Sequence, residues 1–162
     1  GDYYRVDKVD YSYPAGKCAV RMTVNKNFRG EQTKTATYNE CVYDMVSMMQ
    51  RARSYDVSNW KPGQRQYFLI ADGSDTSRQS IVYRGKENVK LDKTGETYRC
   101  LVFSFMETEK GKEKEIVKFF ISDDANHLPV RLDMNLKFGT AKAFLNKAAN
   151  VRHPQTAIIK KK

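Results

Sequence analysis

From Val130 the chain alternates without a break. Val130, Leu132, Met134, Leu136 and Phe138 fall on one side, and Arg131, Asp133, Asn135 and Lys137 on the other. Successive side chains of a strand point to opposite faces, so a period of two predicts a strand with one buried and one wet face. The run is preceded by Ser122-Asp123-Asp124-Ala125-Asn126-His127-Leu128-Pro129, a stretch of turn formers. The apolar side is expected to face a core, so Leu132→Ala and Leu136→Ala are each expected to cost about 2–5 kcal/mol through the cavity left behind.

The same grammar recurs along the chain. Tyr3 to Tyr11 reads as a strand closed by Tyr13-Pro14-Ala15-Gly16, and Cys18, Val20, Met22 and Val24 mark the inner side of its partner. Thr33 to Tyr38 reads as extended. Val42, Met45, Val46 and Met49 recur at helical spacing and predict one helix over about Val42 to Arg53, capped by Asn39. On that reading Met45→Asp buries an unpaired charge and unfolds the chain. Ser54 to Gly63, which contains Trp60, reads as a loop. Further strands are predicted over 64–70, over 78–91 with a bulge at Gly85, and over 98–108, 116–121 and 130–138. Short turns between them predict an antiparallel meander. The expected fold is mainly β, a strongly curved sheet or open half-barrel packed around one α-helix. Residues 1–150 are read as one domain and 151–162 as a basic tail.

A chain of 162 residues is long enough to own a core without a disulfide or metal. No apolar run reaches the ~20 residues of a membrane-spanning helix. The net charge of +10 favours anionic partners, but the basic residues are scattered, as on a solvated surface, and gather only at Lys160-Lys161-Lys162. Cys18, Cys41 and Cys100 form no metal-ligand spacing. A Cys18–Cys41 disulfide is open, and Cys100 reads as a buried structural thiol.

Several segments together resemble a known family. They are Val42-Tyr43-Asp44-Met45-Val46-Ser47-Met48, Ala52-Arg53-Ser54, Tyr83-Arg84-Gly85-Lys86-Glu87, Tyr98-Arg99-Cys100, Asp123 to Phe138 and Ala141-Lys142-Ala143. In that order they resemble the bacterial family catalogued as domain of unknown function 3108, typical of exported proteins of Gram-negative envelopes. The resemblance implies a periplasmic or envelope location and a curved antiparallel sheet. It also implies that the chain matches the C-terminal part of a longer protein, without the usual signal peptide and first strands. It implies no reaction and no cofactor.

Candidate chemistry is sparse. There is no phosphate-binding glycine loop, zinc-protease helix or nucleophile elbow, so no catalytic residue, cofactor or metal is assigned. Asp123, Asp124 and His127 have the donor types of a cation site, but Asp and Asn are also the usual turn formers, and the turn is the stronger reading. Arg131 and Asp133, two apart on one face, read as an ion pair. Met45, Met49, Phe103, Phe105, Met134 and Phe138 are the candidates to line an apolar ligand site, against simple core packing. The expected function is a non-enzymatic envelope protein that binds a hydrophobic or amphipathic ligand or a protein partner. The alternative is a basic module for anionic polymers such as acidic glycan. Nucleic acid is the weaker partner, although tyrosines interleaved with basic residues can form a stacking surface.

Overall fold

The computed structural model describes residues 3–136 and 138–160. Gly1, Lys137 of the last alternation, and Lys161 and Lys162 of the basic cluster lie outside the described residues. The elements run β1 (Arg5–Ser12), β2 (Cys18–Lys26), β3 (Glu31–Tyr38), β4 (Val42–Tyr43), α1 (Met45–Ala52), β5 (Arg65–Ala71), β6 (Thr76–Lys90), β7 (Thr97–Glu109), β8 (Lys112–Ser122), β9 (Pro129–Leu136), β10 (Gly139–Phe144) and β11 (Ile158–Lys160). The protein is mainly β with one α-helix among the described residues. Packing divides it into two compact units. The first takes in the chain up to Ala52 together with Tyr67–Gln79, and the second takes in Arg53–Gln66 and everything from Ser80 onward.

In the first unit β1, β2 and β3 form an antiparallel meander. Its apolar face is the predicted one. Cys18, Val20 and Met22 are buried and pack with Val42 of β4 and with Leu69 and Ala71 of β5. β4 and β5 pair in parallel, Val42 opposite Leu69 and Tyr43 opposite Ile70, an exception to the antiparallel rule. The turn after β5 is organised by Asp72, whose Oδ1 accepts from the amides of Ser74 and Asp75, each at 2.8 Å. Lys34 reaches Asp75 at 2.5 Å, Tyr38 meets Thr76, and Arg78 meets Glu40.

The helix is shorter than predicted. Val42 and Tyr43 are strand, and α1 begins at Met45. Its cap is Asp44, not Asn39: Asp44 Oδ1 accepts from the Ser47 amide at 2.7 Å, and Ser47 Oγ accepts from the Asp44 amide at 3.0 Å. The inner stripe is Met45, Met48, Met49 and Ala52. Met48 is 0% exposed, whereas Val46 is 66% exposed. Assigning Val42 to the helix shifted the stripe by about a sixth of a turn. Met45 itself is only half-buried, so it is not the residue on which folding turns.

In the second unit the Ser80–Lys90 part of β6 opens an antiparallel ladder that runs β6-β7-β8-β9-β10. No ladder joins β10 back to β6 among the described residues, so this sheet is open. The register shifts at Gly85, the predicted bulge. β7 is the centre and is buried on both faces from Cys100 to Met106. Tyr98, Cys100 and Val102 join Val89, Leu91, Phe120, Val130 and Ala157 on one face. Leu101, Phe103 and Phe105 occupy the other face, with Phe103 opposite Tyr83 and Phe119.

Two expectations fail here. The segment read as a basic tail holds a strand within its described residues, 151–160. β11 pairs with β7, Ala157 is fully buried, and the Arg99 amide donates to the Ala157 carbonyl at 2.8 Å. The β9 alternation is real, but its apolar side is buried only at Val130; Leu136 is 59% and Phe138 101% exposed. Alternation decides which side chains share a face. It does not decide whether another layer covers that face.

Candidate functional site

The second unit holds a cleft of about 260 Å³ built where the loop 53–66 lies on β6 and β7. The loop is clipped to the bulge of β6: the Gly63 amide donates to the Tyr83 carbonyl and the Tyr83 amide to the Gln64 carbonyl, both at 2.8 Å. Gly85 makes this approach possible. Its φ is +99°, a conformation in which a side chain would be strained, although a Cβ there would meet Pro62 Cγ at an ordinary contact distance of 3.4 Å. The loop's own turns are tied locally, the Trp60 amide to the Val57 carbonyl at 3.0 Å and the Ser58 amide to Asp56 Oδ1 at 2.9 Å. That hydrogen bonding at Ser58 holds the Asp56 carboxyl below its ordinary range.

The result is an aromatic wall. Trp60 stacks against Tyr55 with centroids 5.7 Å apart, and stands edge-on to Tyr83 at 6.3 Å and to Phe103 at 6.5 Å. Phe103 continues the row by stacking on Phe119 at 5.5 Å. Tyr55, Val57, Trp60, Tyr83 and Leu101 supply the apolar lining. Burial pushes the Tyr83 hydroxyl up, against the opposing charge of Lys86 and with a smaller push from Asp123.

Beside this wall lies a charged rim. Asp123 Oδ2 accepts from Lys86 Nζ at 2.8 Å and from Arg99 Nε at 2.6 Å. Burial opposes its charge, but the hydrogen bonds from Lys86 and Arg99 outweigh burial and hold the carboxyl below its ordinary value. Lys86 and Arg99 thus balance Asp123, and Asp56 stands as a second carboxylate in the lining. His127 completes it. Its backbone is left-handed at φ +45°, and its Nδ1 lies 2.5 Å from the Arg53 carbonyl, to which it donates. The His127 carbonyl in turn accepts from Arg53 Nε at 2.7 Å. With Nδ1 as donor, Nε2 is the ring nitrogen left for a ligand.

The Asp123–His127 stretch is thus a built turn. Asp124 Oδ1 accepts from Ser122 Oγ at 2.8 Å and from the Asn126 amide at 3.0 Å, and Oδ2 accepts from the Ala157 amide at 3.2 Å. Asp124 therefore fastens the C-terminal segment, while Asp123 and His127 belong to the cleft. Arg131 and Asp133 do pair, at 2.7 Å, and the Arg131 guanidinium lies 4.8 Å from the Phe120 ring centroid.

The six residues nominated as ligand-lining are dispersed. Met45 and Met49 are half-buried on α1 in the first unit. Phe103 and Phe105 are buried on β7, Met134 is exposed on β9, and Phe138 is exposed beyond it. None of them lines this cleft. Sequence reasoning missed Tyr55, Val57 and Trp60. The signal was present: the chain's single tryptophan stands in a polar loop, where an unpaired large aromatic needs a surface to lie on. Cys100 is a buried thiol, pushed up to about 12 by burial and by the charges of Asp123, Asp124 and Glu87. Cys18 and Cys41 are separate free thiols.

The profile of one protein family matches residues 1–146, nearly the whole chain. Its description is protein of unknown function, DUF3108. The chain belongs to this family. DUF3108 membership thus reaches through β10, and β11 lies beyond the matched residues. No curated protein and no solved structure matches the chain. No helix among the described residues is long and apolar enough to cross a membrane.

Proposed function

We propose that this chain is a non-enzymatic binding protein of the bacterial envelope, and that the Trp60 cleft takes a small amphipathic anion. The observation that carries this reading is the adjacency of an aromatic wall, Tyr55, Trp60 and Tyr83, to the Lys86 ammonium, which lines the cleft beside Asp123 and Asp56. An apolar body lies on the wall while an anionic head meets Lys86. The volume suits one ring or a short acyl chain; it falls just below the roughly 300–1,000 Å³ of pockets for drug-sized ligands. Binding is favoured over catalysis by the state of the polar groups. Asp123 is held by two cations, and burial keeps the Tyr83 hydroxyl protonated. The envelope location rests on the family resemblance.

Trp60 is the only tryptophan, so its emission reports on the cleft directly. Titration with octanoate and with phenylacetate is expected to give a saturable change that weakens in Lys86→Ala. No saturable change with either anion, or an equal change in Lys86→Ala, overturns the reading. A change produced only by a polyanion such as heparin, and steep in salt, replaces it with the polymer-binding alternative.

A further inference from the structure

The connection between β2 and β3 is built against its own turn chemistry. It reads Lys26-Asn27-Phe28-Arg29-Gly30. Asn27 and Phe28 both have positive φ, +51° and +57°, and the Arg29 amide closes the turn on the Lys26 carbonyl at 3.1 Å. This is the turn in which Asn-Gly is the favoured pair, because glycine adopts positive φ without steric cost. Asn27 fits that rule. Phe28 does not: a bulky aromatic in the left-handed region is a strained outlier, and such strain points to a use outside the fold.

The strained residue is displayed rather than packed inward. Phe28 is 76% exposed and stacks on Tyr4, with centroids 4.0 Å apart and planes at 13°. Tyr3, next in the chain, is 69% exposed. The display is fixed in place, because the Tyr4 amide donates to Asn27 Oδ1 at 3.1 Å and the Asn27 amide to the Tyr4 carbonyl at 2.8 Å. The charged residues of the turn itself, Lys26 and Arg29, are both basic, and Glu31 follows at the start of β3. Lys26 and Arg29 flank Phe28 with no ion-pair partner among the described residues, while Arg5 is paired with Asp7 at 2.7 Å.

We propose that this aromatic tip docks the first unit on an anionic lipid bilayer surface. Aromatic rings settle at the headgroup boundary, and neighbouring cations are drawn by the surface charge. The occupant follows from shape and charge together. The tip is a turn whose rings already stack on each other, and a single-stranded nucleic acid needs instead a basic groove that offers free ring faces to successive bases. The proposal does not depend on the Trp60 cleft.

The test is co-sedimentation of the whole chain with vesicles. Binding is expected to vesicles of phosphatidylcholine mixed with phosphatidylglycerol, to fall with salt, and to be absent with phosphatidylcholine alone. Arg29→Gln is expected to weaken it roughly fivefold, the value of one cation at an anionic surface. Phe28→Gly is the sharper variant. It restores the Asn-Gly turn, so it is expected to melt no lower than the parent and to keep the Trp60 response, yet to lose vesicle binding. Undiminished sedimentation of Phe28→Gly, or no sedimentation of the parent, overturns the proposal. So does tip-dependent binding to a single-stranded oligonucleotide without binding to vesicles.

Discussion

Asp123 shows how one residue serves both fold and site. Its carboxylate is held by Lys86 and Arg99, and its pKa in the folded chain is therefore below the ~3.9 of an unfolded aspartate. A depressed carboxyl stabilises the fold above the unfolded pKa, and the contribution is lost as pH falls through the folded value. Asp123→Asn is thus expected to cost on the order of 1–2 kcal/mol at neutral pH. The gap to the parent should close in acid below about pH 4. Denaturant melts at neutral and acid pH measure it, and a gap independent of pH would mean that the charge contributes nothing. The cysteines give a second residue-scale expectation. Cys18 and Cys100 are buried, and the Cys100 thiol is pushed up to about 12. The thiolate is the reactive form, so iodoacetamide should label Cys41 alone in the native chain at pH 8. Mass spectrometry counts the adducts, and a second label without unfolding would contradict the burial of Cys18 and Cys100.

At the scale of elements, α1 and β9 separate what periodicity reveals from what it leaves open. In α1 the buried stripe passes through Met48, so Met48→Ala is expected to cost about 2–5 kcal/mol. Val46→Asp, on the exposed side, should stay within about 0.5 kcal/mol of the parent. Thermal melts of the pair locate the stripe, and equal losses would show that both sides are covered. In β9, Val130→Ala should destabilise the chain while Leu136→Ala should barely register, since Leu136 stands in solvent. Strand identity, the hairpin turns and the Gly85 bulge were legible, because each follows from local chemistry: alternation, turn formers, a glycine inside a strand. The boundary of α1 was not, because Val42 satisfies both a helical period and a two-residue strand, and only its pairing with Leu69 decides. β11 was not, because a strand of three residues has no period of its own. The cleft was only half legible. Asp123 and His127 were singled out with Asp124, but as a cation site weighed against a turn. Tyr55 and Trp60 were hidden in a loop whose position depends on backbone bonds to Tyr83, eighteen or more residues away along the chain.

At the scale of the whole chain, the boundary between the two units falls inside strands. It crosses β5 between Gln66 and Tyr67, and β6 between Gln79 and Ser80. Each of these two strands contributes residues to both units. One cooperative transition is therefore expected. Gly73→Ala tests this, because it strikes the first unit alone. Gly73 has φ +94°, and an added Cβ would lie 2.5 Å from Asp7 Cβ, closer than any real contact. The strained backbone and the clash together should cost on the order of 1–3 kcal/mol. Trp60 belongs to the second unit and supplies a separate probe. If the strands couple the units, far-ultraviolet dichroism and Trp60 emission will report the same lowered midpoint in Gly73→Ala. A lowered dichroism midpoint beside an unmoved Trp60 transition would show that the units melt independently, and that the shared strands part at the boundary without transmitting the loss.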